Sequence, residues 1–208
     1  MSPLATTGNL IRAGRPQDAR RLAELMTRGL HTRFSHLGQG VVILLHRHMT
    51  TSRHCLCVVA ERQGRVAGYA AVLTSGRQFY REFLIRKGLL CGFLALPRLA
   101  RISNLRTIFT ALSYFPAAAD NDPDAELVSI VVDQAVRSSG VGRDLWEGVV
   151  VGLQSRGIPE LKISTDVGNE RANRMYQNRG CRLIRQEPLY HDTEVNVYVY
   201  RVPQRPEC

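Results

Sequence analysis

The chain has 208 residues, 44% of them hydrophobic and 22% charged; this is enough apolar material for one globular domain and excludes wholesale disorder, collagen and small disulfide scaffolds. Its 28 Lys and Arg against 18 Asp and Glu give a net charge of +10, which suits a polyanionic partner such as nucleic acid, an acidic membrane surface or a phosphorylated ligand. The excess is uneven: residues 1–120 hold 17 basic and 5 acidic side chains (net +12), and residues 121–208 hold 11 and 13 (net −2).

The opening stretch MSPLATTGNL has neither a basic start nor a long apolar run, so no signal peptide is expected. Asn9–Arg12 reads as a short strand. Pro16-Gln17-Asp18 opens an amphipathic helix carrying Leu22, Leu25 and Met26, with a proline and an acid in its first turn. Residues 39–51 form a second helix around Val42, Leu45, His46 and Met49. Cys55–Glu61 and Arg65–Thr74 are strands joined as a hairpin near Gly64. Five cysteines (55, 57, 91, 181 and 208) at irregular spacing, with no CxxC, read as reduced thiols packed inside a cytoplasmic protein. Cys55 and Cys57 are expected on opposite faces of their strand, so that they neither bridge nor share a metal. The histidines clustered loosely over 31–54 lack zinc-site spacing, and no metal is expected.

Residues 77–112 differ in texture. Phe79, Phe83, Leu84, Leu90, Phe93, Leu94, Leu99, Ile102, Leu105, Phe109 and Leu112 recur at helical spacing, and seven basic residues and one acid, Glu82, lie between them. Pro97 is expected to split this stretch into two helices. The longest apolar run, Gly88 to Pro97, falls short of the ~20 residues that a membrane-spanning helix needs. A polar, proline-bounded loop follows from Phe115 to Asp124. The whole segment, about 77–123, has the look of an insertion between two strands.

Beyond it, Leu127–Val132 is a strand, Arg137-Ser138-Ser139-Gly140-Val141-Gly142 a turn, and a helix continues to about Arg156. Leu161–Thr165 is a strand, Asn169–Asn178 a helix, and Cys181–Arg185 and Val195–Val202 are strands. This is an α/β pattern around a mixed central sheet flanked by helices. The glycine-containing turn can aim several backbone N–H groups at one point, and the helix after it adds its positive dipole end, which together suit a pyrophosphate. Gly140 and Gly142 let the backbone approach phosphates without a Cβ in the way. No Gly-Lys-Ser/Thr follows, and the three spaced glycines of a dinucleotide fingerprint are missing. Taken alone, the turn reads first as an ordinary glycine loop.

Two motifs in order change that balance. Arg137-x-x-Gly140-x-Gly142 after a hydrophobic strand, with Asn169-x-x-Ala172-x-x-x-Tyr176-x-x-x-Gly180 some thirty residues later, resembles the GNAT superfamily of acyl-CoA-dependent N-acetyltransferases. Cys181 stands where that family usually has Phe, a departure that bears on packing. The resemblance covers residues 125–187 closely and 9–74 in outline; 77–123 has no counterpart in the minimal fold. It implies one GNAT domain over 1–208 with acetyl-CoA as co-substrate. The backbone of Ile130, Val131 and Val132 is expected to pair with the pantetheine arm. Amides across Arg137, Ser138, Ser139, Gly140, Val141, Gly142 and Arg143 are expected to hold the pyrophosphate, with Arg137 and Arg143 as side-chain supports. Asn169, in the same motif as Ala172, is expected to contact the pantetheine or a nearby backbone group.

The chemistry adds its own demands. An alkylamine is protonated at neutral pH (pKa about 10), so a base or a water chain must take a proton before nitrogen attacks. The oxyanion needs a donor, which the resemblance assigns to a backbone N–H near Val131 or Val132. Tyr176 is expected near the thioester sulfur, where a phenol can protonate the departing thiolate. Glu126, 11 residues before Arg137, resembles the glutamate base of several family members; a solvent-facing carboxylate at a strand edge is the plainer alternative. Ser129 could position water or substrate. Asp133 is expected to cap or brace the loop, and Asp166 and Glu170 to be surface or capping residues. Tyr190 and His191 could reach the acceptor from the turn before the last strand, though a solvent turn is the simpler reading.

For the basic insertion the preferred reading is a helical pair that buries its apolar face and leaves its arginines in water. The others are a wall of the acceptor pocket, where arginines meet a phosphorylated or nucleotide-linked substrate, and a segment with weak affinity for a membrane surface. Nucleic acid is not expected, because no recognition motif accompanies the charge. The expected activity is acetyl transfer from acetyl-CoA to a primary amine of a small molecule by direct attack in a ternary complex, in a monomer or homodimer. Acetylation of a protein N-terminus or lysine, or a non-catalytic module binding CoA or a membrane surface, are the alternatives.

Overall fold

The structure, a computed structural model, describes residues 4–6, 8–29, 39–99, 122–190 and 193–204. Its strands are β1 (Leu4–Thr6), β2 (Asn9–Ala13), β3 (Cys55–Arg62), β4 (Arg65–Leu73), β5 (Glu126–Val132), β6 (Glu160–Asp166), β7 (Arg182–Tyr190) and β8 (Thr193–Arg201). They form one sheet in the order β1-β2-β3-β4-β5-β6-β8-β7. Neighbours are antiparallel except β5 and β6, so the expected mixed sheet is present. The helices are α1 (Ala19–Gly29), α2 (Gln39–Met49), α3 (Gly76–Leu99), α4 (Val141–Gln154) and α5 (Glu170–Gln177).

Cross-strand partners share a face, and this sorts the interior into two cores. Leu56, Val58, Val72 and Leu127 pack against Leu145, Val149 and Leu153 of α4. Cys57, Tyr69, Ala71, Leu73 and Val131 pack on the other face against Leu22, Leu25 and Met26 of α1, Val42, Leu45 and Met49 of α2, and Phe79 and Phe83 of α3. Each helix buries residues at the i, i+3/i+4 spacing that an amphipathic helix needs. On α4, glycines replace side chains at the closest approach: a Cβ on Gly152 would lie 2.6 Å from Leu56 Cδ2, and one on Gly148 2.7 Å from Ile11 Cγ2.

Four expectations change. β1 was not foreseen; it pairs back on β2 across a turn at Gly8. β7 extends past Arg185 to Tyr190, through Pro188. The helix that was to break at Pro97 runs through it as far as Leu99, the last described residue of that segment; the second predicted helix lies outside the described residues. Cys55 and Cys57 share a face, since positions two apart on a strand always do; both are buried free thiols in the α1/α2 core.

Strand register places the insertion. The end of β4 and the start of β5 are directly opposed, with Leu73 facing Glu126. Everything between them therefore leaves and rejoins the sheet at Glu126.

Candidate active site

β5 pairs with β6 only at Glu126 and Leu127, helped by a bond from Lys162 N to Ala125 O of 2.8 Å. Past Leu127 the two strands separate, and a bulge opposite Ala71 and Val72 leaves Val128 out of register with β4. The freed edge of β5, at Ile130, Val131 and Val132, lines a cavity of about 490 Å³. Arg137, Ser138, Gly140, Gly142, Arg143, Asn169, Ala172 and Tyr176 complete the wall, with Arg171 and Met175, which the sequence reading did not single out. Of the residues expected here, Ser139 and Val141 do not line it. The Ser139 hydroxyl donates to Val136 O at 2.7 Å, and Val141 is buried in the α4 core.

The turn entering α4 has a fixed shape. Asp133 accepts from Ala135 N at 3.1 Å, capping a short 3-10 turn over Gln134–Val136, and its other oxygen pairs with Arg21 of α1. The hydrogen bond from Ala135 holds the Asp133 carboxyl below its ordinary range, and Arg21 adds to this. Ser138 and Gly140 then take positive φ of 69° and 86°. Gly140 caps α4 without a side chain, so the first amides of that helix, which have no intrahelical partner, stay open beside the cavity. Arg143 leans on Asp144 at 3.4 Å and Glu147 at 3.8 Å, whereas Arg137 is exposed and has no ion pair among the described residues.

On the opposite wall, Asn169 caps α5 by accepting from Ala172 N at 3.2 Å. Asn173, missed in the sequence, fixes that helix to the sheet. Its amide nitrogen donates to carbonyls of Asp166, Val167 and Asn169, and its oxygen accepts from Asn196 at 2.8 Å and from the Tyr198 hydroxyl at 2.9 Å. Tyr176, one turn on, is nearly enclosed by Trp146 and Tyr198, each 6.1 Å away between ring centres. Burial raises its phenol pKa, so the hydroxyl stays protonated. Asp166 accepts from Gly168 N at 2.7 Å, and Glu170 is an exposed partner of Arg174. Tyr190 ends β7, and His191 lies outside the described residues.

Glu126 does not line the cavity. As the partner of Leu73 it points to the α2/α3 face, with Ser129 and Val131, whereas Ile130 and Val132 point to the α4 face. Burial pushes its carboxyl pKa up, and Lys162, with Nζ 3.4 Å from Glu126 Oε2, opposes the shift. Lys162 also lies 3.5 Å from Asp122, which Arg185 grips with two bonds of 2.7 Å while reaching Glu187 at 2.7 Å. None of Lys162, Asp122 and Arg185 stood out in the sequence; a lysine inside the apolar run of β6 was the one available signal.

On the same face the Tyr69 hydroxyl lies 3.0 Å from His46 Nε2, and His46 Nδ1 lies 2.8 Å from Val42 O. A carbonyl can only accept, so Nδ1 carries the proton and Nε2 accepts from the tyrosine. Burial lowers the His46 pKa and keeps this ring neutral. Among the described residues no group of His, Cys, Asp and Glu is arranged to hold a metal ion.

A family model described as the acetyltransferase (GNAT) family matches residues 20–181. Among solved structures, the fold is similar to the ribosomal-protein-S18-alanine N-acetyltransferase of Escherichia coli (TM-score 0.61, 15% identity, 96% of this chain and 97% of that one). It is also similar to Ard1 of Thermoplasma volcanium (0.62, 16%, 95% and 100%) and to yncA of Salmonella typhimurium, a putative acetyltransferase determined with its cofactor acetyl-CoA (0.60, 13%, 97% and 98%). No curated protein matches the sequence.

Proposed function

Because the chain belongs to the acetyltransferase (GNAT) family and is therefore a GNAT-type N-acyltransferase, we propose that it moves the acetyl group of acetyl-CoA onto a primary amine of a small molecule, by direct attack in a ternary complex. The observation that carries this reading is the parting of β5 from β6 after Leu127. It joins the cavity on the α4/α5 side to the face on which Glu126 stands, so cofactor and acceptor can meet from opposite faces.

The residues present fit the cofactor. A free strand edge, a helix start capped by a glycine in the left-handed region, and the side chains of Arg137, Arg143 and Arg171 line one cavity. Acetyl-CoA supplies an acyl group already activated as a thioester. The edge of Ile130–Val132 pairs with the pantetheine arm as an added strand would. Amides of Ser138, Gly140, Gly142 and Arg143, which line the cavity, receive the pyrophosphate, and of the two arginine supports Arg137 is the freer. A backbone N–H at Val131 or Val132 donates to the developing oxyanion. Tyr176, held protonated, gives its proton to the departing sulfur. Glu126 takes the proton from the acceptor ammonium; its raised pKa makes it a better base than an exposed glutamate.

The small-molecule acceptor is supported by the register of Leu73 with Glu126. The chain leaves the sheet for the insertion at Leu73 and returns to it at Glu126, beside the proposed base. The free buried thiols Cys55, Cys57 and Cys181 support a cytoplasmic location, and no helix among the described residues is long and apolar enough to cross a membrane. The test is thermal melting with acetyl-CoA. A saturable rise in Tm, diminished by Arg137→Ala, supports the cofactor site; no rise contradicts it.

A further inference from the structure

The proposed cofactor site does not account for the basic excess, because a pyrophosphate held by backbone amides needs little side-chain charge and the site lies in the half of the chain with net −2. The excess has a second location. Phe79 and Phe83 fix α3 on α2, each ring against His48 (4.8 and 5.4 Å between centres), and this sets which way the rest of the helix faces.

The outer stripe of α3 runs through Arg77, Arg81, Leu84 and Ile85 at the i, i+4, i+7, i+8 spacing of one helix face. A solvent-facing stripe ordinarily mixes charges of both signs and excludes large aliphatics. This one holds no acid, and Leu84 and Ile85 are 42% and 74% exposed, Ile85 being the most exposed large hydrophobic residue described. Leu90 continues the row of Phe79 and Phe83 but is 45% exposed.

Beside the stripe, a cleft of about 760 Å³ separates α3 from the turn before β3. Arg53, His54, Arg81, Arg86 and Ile85 line it. Its one acid, Glu82, is already engaged by the Ser52 hydroxyl at 2.6 Å and by Arg86 at 3.2 Å. Arg53, Arg77, Arg81 and Lys87 form no ion pair among the described residues. Cationic groups without counterions, next to exposed aliphatic side chains on one rigid helix, match the boundary between anionic headgroups and acyl chains. A nucleic acid would leave Leu84 and Ile85 unused, and the stripe has no aromatic side chain for base stacking.

We propose that the outer face of α3, together with the turn at residues 51–54, docks on an anionic lipid bilayer, with the cleft taking a lipid phosphate and Leu84 and Ile85 entering the interface. The cofactor loop lies with α4 on the other side of the sheet and stays open to water in this orientation. The docking surface is independent of the acyl-transfer reading, since it shares no residue with the cofactor cavity.

Flotation of the full chain with vesicles tests it, using phosphatidylcholine alone and equal parts phosphatidylcholine and phosphatidylglycerol, at low and high salt. The protein floats with the anionic vesicles only, and less at high salt. The Arg53→Glu/Arg81→Glu double variant loses about tenfold or more in partitioning. Leu84→Ser/Ile85→Ser, which keeps the charge, loses several-fold. Both variants keep their Tm and their response to acetyl-CoA, so lost flotation reports the surface rather than unfolding. No flotation with anionic vesicles, or equal flotation of the charge-reversed variant, overturns the proposal. So does flotation that ignores the Leu84 and Ile85 changes but is competed away by inorganic pyrophosphate, which would assign the cleft to a soluble phosphorylated ligand.

Discussion

Lys162 Nζ stands 3.4 Å from Glu126 Oε2, across the one parallel register among the described strands, and 3.5 Å from Asp122 Oδ2. Burial raises the Glu126 pKa and Lys162 restrains the rise. A base works deprotonated, so kcat/KM climbs with pH along an acid limb lying above the range of an exposed glutamate. Lys162→Met removes the restraining charge and moves that limb to higher pH. Glu126→Gln abolishes the limb and costs about 10²-fold in rate while leaving acetyl-CoA affinity intact. A limb that Lys162→Met does not move puts the base elsewhere.

Gly140 holds a φ of 86°, which a β-branched residue adopts only under strain. Gly140→Val lowers stability by about 1–3 kcal/mol and also weakens acetyl-CoA binding, because the amides at the start of α4 are re-aimed. Gly157 has a similar φ of 63° in the turn after α4. Gly157→Val gives the matching control: a comparable fall in Tm with unchanged affinity. Equal affinity in both variants, read by calorimetry, removes the α4 turn from the cofactor site.

The Tyr176 ring packs between Trp146 and Tyr198, and its hydroxyl makes no hydrogen bond to described residues. Tyr176→Phe therefore keeps the packing and the Tm. It slows turnover by about ten- to a hundredfold if the phenol protonates the thiolate. Single-turnover kinetics with an unaltered rate return Tyr176 to a purely packing role.

Asp122 is held below its ordinary carboxylate range chiefly by its hydrogen bonds to Arg185. A depressed folded pKa stabilises above the unfolded value, and this stabilisation is lost as pH falls through the folded one. Arg185→Met costs about 1–3 kcal/mol at neutral pH, since it strips the main partner from a buried carboxylate while Lys162 remains. The gap between wild type and variant narrows on acidification through the Asp122 titration. Urea melts across pH measure it, and a gap constant with pH contradicts the pairing.

The sheet and helices were legible where local rules act alone: the hairpin at Gly64, the apolar spacing of α1 and α2, and the glycine turn before α4. The residues that surround the candidate base were not. Arg185 and Asp122 are 63 positions apart and meet only because β7 folds back beside β8. Asn173 joins α5 to Asn196 and Tyr198 of β8 in the same way. No periodicity reveals such pairs, though a lysine inside an apolar strand hints that a carboxylate must lie near. Pro97 was expected to break its helix, which instead runs through it as far as the description reaches, at Leu99. The +10 itself points away from the proposed cofactor site and toward α3, where Arg77, Arg81 and Lys87 form no ion pair among the described residues.

Acetyl transfer to a small amine is tested most directly by mass spectrometry of a panel of amines and peptides incubated with enzyme and acetyl-CoA. Mass detection also avoids interference from the five cysteines in a thiol assay. The predicted result is that at least one small primary amine gains a single acetyl group, dependent on both components and strongly reduced by Glu126→Gln. Acetylation confined to peptides, or none beyond the level of Glu126→Gln, would contradict it.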